Sequence, residues 1–256
     1  MTPRMPITCF VVAALAAMPR LALAEEAASN LGAEAFAGVG VGTRSFERPT
    51  SDGSQVLQAG LFPAAEVALR LEAWPHARFS FAGLVHVQTS LGLTVQERPL
   101  FALPNEVGAR AEHLELSAVP SWRLGAESDA LALAFPIGFT LRSFQADVRD
   151  LPTPSYSLAG PHLRVELVAA FASWLTLRVG PELHWILFLG RQLRDGGTDS
   201  QGFALGGEAA LRVEVGAGIA LEIGYRESHA FAGNVGEGAS FEDVERFATV
   251  RLVGSL

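Results

Sequence analysis

The sequence predicts an all-β fold, one antiparallel sheet of ten strands closed into a transmembrane barrel, and three observations carry that prediction. Apolar and polar residues alternate with a period of two, as in Leu163–Arg164–Val165–Glu166–Leu167, Leu211–Arg212–Val213–Glu214–Val215 and Ile219–Ala220–Leu221–Glu222–Ile223. The connections between alternating segments are long and short in turn. Although 49% of the chain is hydrophobic, no stretch beyond the N-terminal region approaches the ~18 continuous apolar residues of a membrane helix. Eight and twelve strands are the alternative counts that the same pattern admits.

The first 24 residues read as a secretory signal peptide, with residues 25–256 forming one barrel domain. Met1–Arg4 is a short cationic start, residues 7–18 are apolar apart from Thr8, and Ala22–Leu23–Ala24 is a small-x-small cleavage site before Glu25. A dozen apolar residues ending at Pro19–Arg20 is too short to span a bilayer, where ~20 are needed. Cys9 is the single cysteine. Cleavage therefore leaves a chain without disulfides or thiolate metal sites. The whole chain carries a formal charge of −8, and loss of Arg4 and Arg20 makes it −10. That balance argues against a nucleic-acid binder, which needs a basic face. All 19 basic residues other than histidine are Arg.

The expected strands are 34–46, 57–72, 77–92, 109–124, 129–145, 157–171, 174–190, 202–216, 218–231 and 242–255. Each has 13–17 residues. At ~3.3 Å per residue and a tilt of ~40° that covers an apolar band ~25 Å tall with length to spare. The connections 47–56, 93–108, 146–156, 191–201 and 232–241 are long and rich in Gly, Pro, Asp, Asn and Ser, whereas 73–76, 125–128, 172–173 and 217 are tight.

Three hairpins yield registers. A fold about Ser173 puts Arg164 opposite Glu182, His162 opposite His184 and Leu167 opposite Val179. A fold about Ala217 puts Arg212 opposite Glu222, Glu208 opposite Arg226 and Val213 opposite Leu221. A fold about Pro75 puts Glu72 opposite Arg78. Opposite charges across an antiparallel pair contribute ~0.2–1 kcal/mol. A one-residue slip would drive them into lipid at ~2–4 kcal/mol for a midplane Arg, so the lipid term decides which face is which.

This chain resembles the Gram-negative outer-membrane β-barrel proteins of the small, single-barrel type. The resemblance rests on the alternating strands, the loop asymmetry and a closing strand in which Ala248, Val250, Leu252, Gly254 and Leu256 alternate to the last residue. That family usually ends in Phe. The resemblance implies an outer-membrane location, periplasmic termini, recognition of the closing strand by the barrel-assembly machinery, and contact with lipid and lipopolysaccharide. A monomer is the expected state. Trp74, Trp122 and Trp174 sit at three short turns, where a periplasmic aromatic girdle belongs. Arg48, Arg98, Arg149, Arg191, Arg194 and Arg246 lie near the outer rim, within reach of lipopolysaccharide phosphates.

The polar face of the strands is expected to fill a narrow lumen with paired Arg and Glu. His86, His113, His162 and His184 lie about ten residues up their strands. They read as satisfied lumenal histidines, with metal binding or a pH response as the alternative. No cofactor is expected. Asp195–Gly196–Gly197–Thr198–Asp199 lacks the full ligand spacing of a calcium loop and reads as turn chemistry. Omptin proteases are also ten-stranded but use acidic pairs and an Asp/His couple, and neither Asp-x-Asp nor Asp-x-His occurs here. Ser228–His229 has the wrong order and spacing for the His-x-Ser arrangement of outer-membrane lipid hydrolases. The expected role is therefore structural or surface-interacting, through five extracellular loops. A narrow channel for small or charged solutes is the alternative, and a lipid or peptide hydrolase a weaker one.

Overall fold

A computed structural model describes residues 31–50, 53–98, 105–125, 130–146, 156–189, 202–232 and 241–255. The leader, Cys9, the 191–201 connection, Arg149, Arg191 and Arg194 lie outside the described residues, as do the side chains of Arg48 and Arg98. The strands are β1 (Leu31–Thr50), β2 (Gly53–His76), β3 (Phe79–Ser90), β4 (Leu93–Arg98), β5 (Asn105–Arg123), β6 (Leu131–Ala134) and β7 (Ile137–Ala146). They continue with β8 (Tyr156–Arg164), β9 (Glu166–Ala172), β10 (Leu175–Ile186), β11 (Phe188–Leu189), β12 (Gly202–Gly216), β13 (Ile219–Ala232) and β14 (Phe241–Ser255). Four pairs run on in line across a short irregularity: β3 with β4, β6 with β7, β8 with β9, and β10 with β11. The wall therefore has ten positions, all antiparallel, and the pairing of β1 with both β2 and β14 closes the ring.

The alternation works as the sequence predicts. On β5 the outward run Trp122, Pro120, Ala118, Leu116 and Leu114 is apolar, while Ser121, Val119, Ser117, Glu115 and His113 are buried inside. The outward face turns polar at a consistent level: Glu112 and Arg110 follow Leu114, Ser143 follows Leu141, Arg246 follows Ala248, and Glu227 follows Tyr225. From Trp122 to Leu114 the band is roughly 20 Å tall for a strand tilted by ~40°. With 20 residues, β1 runs well past its upper edge.

The register at two hairpins is the expected one. Glu182 faces Arg164, His184 faces His162 and Val179 faces Leu167. Glu222 faces Arg212, Arg226 faces Glu208 and Leu221 faces Val213. The second hairpin turns through Ala217 and Gly218, at φ 53° and 73°. Positive φ at both central residues matches the right-handed strand twist. The hairpin at Pro75 differs. The β2–β3 ladder shifts between Ala73 and His76, the turn falls at Ala77–Arg78, and Glu72 faces Ala82 rather than Arg78. A proline without an N–H interrupts the ladder instead of forming the turn.

Two expected loops are also partly strand. Pairing of β1 with β2 continues to Thr50–Gly53, and β4 extends the wall through 93–98 between β2 and β5. A bulge at Gly60–Leu61 moves the inward parity of β2 from even to odd residues, so Glu66, Phe62 and Leu57 share one face. Gly92, at φ 67°, makes the matching adjustment between β3 and β4.

These shifts extend the interior past the expected strand ends, adding Leu93, Tyr156 and Phe241 from segments expected as loops to Phe46, Leu57, Phe144 and Leu158 near the ends of expected strands. Toward the loop end the lumen is filled by an apolar cluster that includes Phe46, Leu57, Leu93, Phe144, Tyr156, Leu158 and Phe241. Phe247 and Phe62 fit beneath it because the facing positions of β1 are glycines. A Cβ on Gly42 would lie 2.6 Å from Phe247 and 2.8 Å from Phe62. Gly42→Leu is therefore expected to destabilise the barrel by ~1–3 kcal/mol through overpacking. Gly32→Leu, where a Cβ meets nothing within 4 Å, should stay within ~0.5 kcal/mol. Urea midpoints of the folded, heat-modifiable species measure both.

Candidate functional site

In a ring of ten, positions five apart face each other across the lumen, so contacts between them report whether the interior is open. Arg44 on β1 donates to Tyr156 Oη on β8 at 2.9 Å, and the Phe46 and Tyr156 rings stack at 5.1 Å. Arg44 is held from its neighbour β14 by a two-point pair with Asp243, at 2.6 and 2.9 Å, and lies 5.1 Å over the Phe144 ring. Lower down, Arg226 on β13 reaches β5, donating to His113 Nδ1 at 2.8 Å, and reaches Gln88 on β3 at 2.7 Å. Arg142 on β7 donates to Ser228 Oγ on β13, four positions away.

Most charges between these contacts are shared among several partners. Arg164 contacts Glu115 at 3.0 Å, Glu166 at 3.0 Å, Glu208 at 2.8 Å and Glu182 at 3.6 Å. Arg251 contacts Glu66 at 2.7 Å, Glu222 at 2.9 Å and Glu208 at 3.0 Å. Arg178 adds a two-point contact to Glu222, both arms at 2.8 Å. Glu222 and Glu66 are buried, as are Arg164 and Glu115. Multivalent pairing of this kind is what a low-dielectric interior requires of buried charges. A cavity of about 50 Å³ remains among Phe36, Glu66, His86, Glu115, Arg164 and Arg251, enough for a few waters.

The residues singled out in the sequence divide into three groups. Arg164 and Glu182 face each other and touch. Arg212 and Glu222 face each other in register, but Arg212 pairs with Glu34 at 2.7 Å and Glu214 at 2.6 Å, while Glu222 takes Arg178 and Arg251. Glu208 and Arg226 likewise face each other in register, yet Glu208 takes Arg164 and Arg251. Long guanidinium stems reach diagonally into the lumen instead of straight to the next strand. Glu72 bonds Ser80 at 2.6 Å and Arg70 at 3.2 Å, and Arg78 stands at the turn tip.

Trp122 and Trp174 are exposed at the short-turn end. Trp74 shares that level but is half-buried, on the lumenal parity of β2, with the Arg123 guanidinium 3.9 Å over its ring. It caps the mouth instead of facing lipid.

The four histidines form two pairs. His86 and His113 lie 5.7 Å apart, ring to ring. His86 donates to Glu66 at 3.0 Å, and His113, accepting from Arg226, donates its other N–H to Thr140 at 2.8 Å. His162 and His184 face each other across β8 and β10. Among the described residues no three metal-ligating side chains gather to hold an ion. Ser117 and Glu115 both approach His162 Nε2, at 3.1 and 3.3 Å, and Nδ1 has no partner. A serine–histidine–carboxylate relay needs the acid on the other ring nitrogen.

The sequence reading missed Arg44, Asp243 and Tyr156. The signal was available in part, since Phe46 shares Arg44's parity on β1 and Phe144 shares Arg142's on β7. Arg251→Met is expected to destabilise by ~3–5 kcal/mol, because three carboxylates lose a buried partner. Arg78→Met, at the exposed tip, should change stability by less than ~0.5 kcal/mol. Equilibrium urea unfolding in lipid vesicles separates the two.

No family model matches the chain, and no curated protein matches it in sequence. Solved structures do. The outer membrane protease OmpT from Escherichia coli superposes with a TM-score of 0.52 at 12% identity, over 89% of this chain and 97% of that one. An outer membrane channel from Pseudomonas putida F1 gives 0.42 at 10% identity, over 89% and 96%. The outer membrane protein OprG from Pseudomonas aeruginosa gives 0.38 at 8%, also over 89% and 96%. The likeness to the protease, at that identity, is one of fold. Together with the apolar outer band, it makes this chain an all-β barrel with the fold of the Gram-negative outer-membrane proteins.

Proposed function

We propose that this protein is a closed outer-membrane barrel whose role is structural or surface-interacting, exercised through its extracellular connections and not through its lumen. The observation that carries this reading is the set of side-chain contacts between opposite walls: Arg44 and Phe46 on Tyr156, and Arg226 on His113. A conducting lumen needs a polar, hydrated path. Here the loop-end storey is apolar and aromatic, and the storey below it is bridged by shared ion pairs. Periplasmic delivery after leader cleavage, recognition of β14 by the barrel-assembly machinery, and lipopolysaccharide contact at Arg246 and the rim belong to the same reading. Arg246 is half-exposed and lies 3.0 Å from Glu227 just above the apolar band, at headgroup level.

Planar-bilayer recording tests the reading. Folded wild-type protein is expected to show no discrete conductance steps. Replacing Arg44, Phe46 and Tyr156 together by Ala removes only the loop-end contacts and should leave the lumen closed, whereas adding Arg226→Ala also breaks the opposite-wall contact below and should produce flickering small steps without abolishing heat-modifiable migration. Steady conductance in the wild type would overturn the closed-lumen reading. Deleting residues 191–201 should alter binding to purified lipopolysaccharide while the barrel still folds, and unchanged binding would remove that loop from the surface role.

A further inference from the structure

Two interior histidines carry ring nitrogens that the ion-pair network does not use. In the register that pairs Arg164 with Glu182, Val165 stands opposite Pro181, and Val165 N donates to Pro181 O at 3.1 Å. Bonded and non-bonded positions alternate along an antiparallel pair, so His162 and His184 form a non-bonded pair, where side chains stand closest. Both are 1% exposed. Ser117 donates its hydroxyl to Glu115 at 2.8 Å and therefore accepts from His162 Nε2–H at 3.1 Å. That fixes the tautomer and leaves a lone pair on Nδ1, which has no hydrogen-bond partner. Neither ring nitrogen of His184 has one. A carboxylate behind one ring nitrogen, with the other nitrogen free, is the arrangement of a metal-ligating histidine.

The surroundings favour a cation of low charge and low coordination number. Among the described residues the middle of the lumen holds Glu66, Glu115, Glu166, Glu182, Glu208, Glu222 and Glu245 against Arg142, Arg164, Arg178, Arg226 and Arg251. The carboxylates are in excess, so one further positive charge is attracted on balance. Arg142 is answered by Glu182, two residues before His184, at 3.5 Å. Among the described residues no third ligand joins the two imidazoles, too few for the four-coordinate shell of zinc. Residues 25–256 contain neither Cys nor Met, so imidazole is the softest donor there. We propose that His162 and His184 hold one monovalent copper ion, Cu(I), between Nδ1 of the first and a ring nitrogen of the second. A filled-shell ion of single charge accepts two nitrogen ligands, and Glu115, behind His162, offsets its charge. On the closed-lumen reading the ion enters as the barrel assembles.

The test uses the full chain carrying Cys9→Ser, which removes the one competing thiol. The protein is unfolded, refolded into detergent micelles under anaerobic conditions with Cu(I) and ascorbate, and washed with a Cu(I) chelator to strip surface sites such as His76 and His229. Elemental mass spectrometry is expected to find about one copper per barrel, and X-ray absorption a two-coordinate shell of nitrogen without sulfur. His162→Gln with His184→Gln should lower retention at least about tenfold, whereas His76→Gln with His229→Gln should keep it. Zn(II) supplied in the same way should wash out. Barrel given Cu(I) only after folding should take up none, which checks the closed lumen apart from the site. No copper in the refolded parent protein, equal copper in the His162 and His184 variant, or equal retention of zinc would overturn the proposal. Heat-modifiable migration reports the fold of each variant, and the absorption spectrum of the parent protein decides the ligands even where a variant fails to fold.

Discussion

Charge inside a barrel whose outer wall must be apolar has nowhere to go except across the lumen, and the rest of this structure follows from that constraint. A strand that turns Leu and Val toward lipid necessarily turns its Arg and Glu inward. In a ring of ten positions the interior is narrow enough for a guanidinium stem to reach past its neighbour. Arg164 and Arg251 use that reach to gather several carboxylates each. Removing either would take a partner from several buried anions at once, which is why the pairs act as a unit instead of as separate bonds.

The interior is layered accordingly. Near the short turns, small residues such as Ala82, Val119 and Ala134 pack together, and Trp74 with Arg123 covers one side of the mouth. The middle storey is the ion-paired network with its histidines. The loop-end storey is aromatic, crossed by Arg44, whose guanidinium is satisfied by Asp243 and Tyr156 while its flat faces meet Phe144 and Tyr156. β-Bulges connect the storeys, because a change of inward parity on β2 is what lets Leu57 and Glu66 belong to one interior. The glycines of β1 supply the space that Phe62 and Phe247 occupy.

Much of this was legible in the sequence. Period-two alternation and the loop asymmetry indicate strand direction and facing and favour ten strands over eight or twelve, and the hairpins folded about Ser173 and Ala217 have the expected register, which their opposed charges support. Ion partners were not legible. Arg212 faces Glu222 yet bonds Glu34 and Glu214, since partner choice depends on side-chain reach across a closed ring and not on ladder position. The Pro75 hairpin misled because a proline that commonly marks turns here interrupts a ladder before the turn. The aromatic storey was hidden by the bulge at Gly60–Leu61, which breaks the alternation that a strand reading relies on, and by strands that continue where Gly- and Asp-rich segments suggested loops.

The central claim is that the lumen is a filled, cross-braced interior, and thiol labelling at Ser228 tests it most directly. Ser228 is buried beside Arg142, and residues 25–256 contain no cysteine, so Ser228→Cys introduces a single thiol. In the folded barrel a small, membrane-impermeant maleimide is expected to leave that thiol unmodified from either side of the bilayer, with full modification only after unfolding. Rapid labelling of the folded protein would show a water-filled lumen and contradict the account.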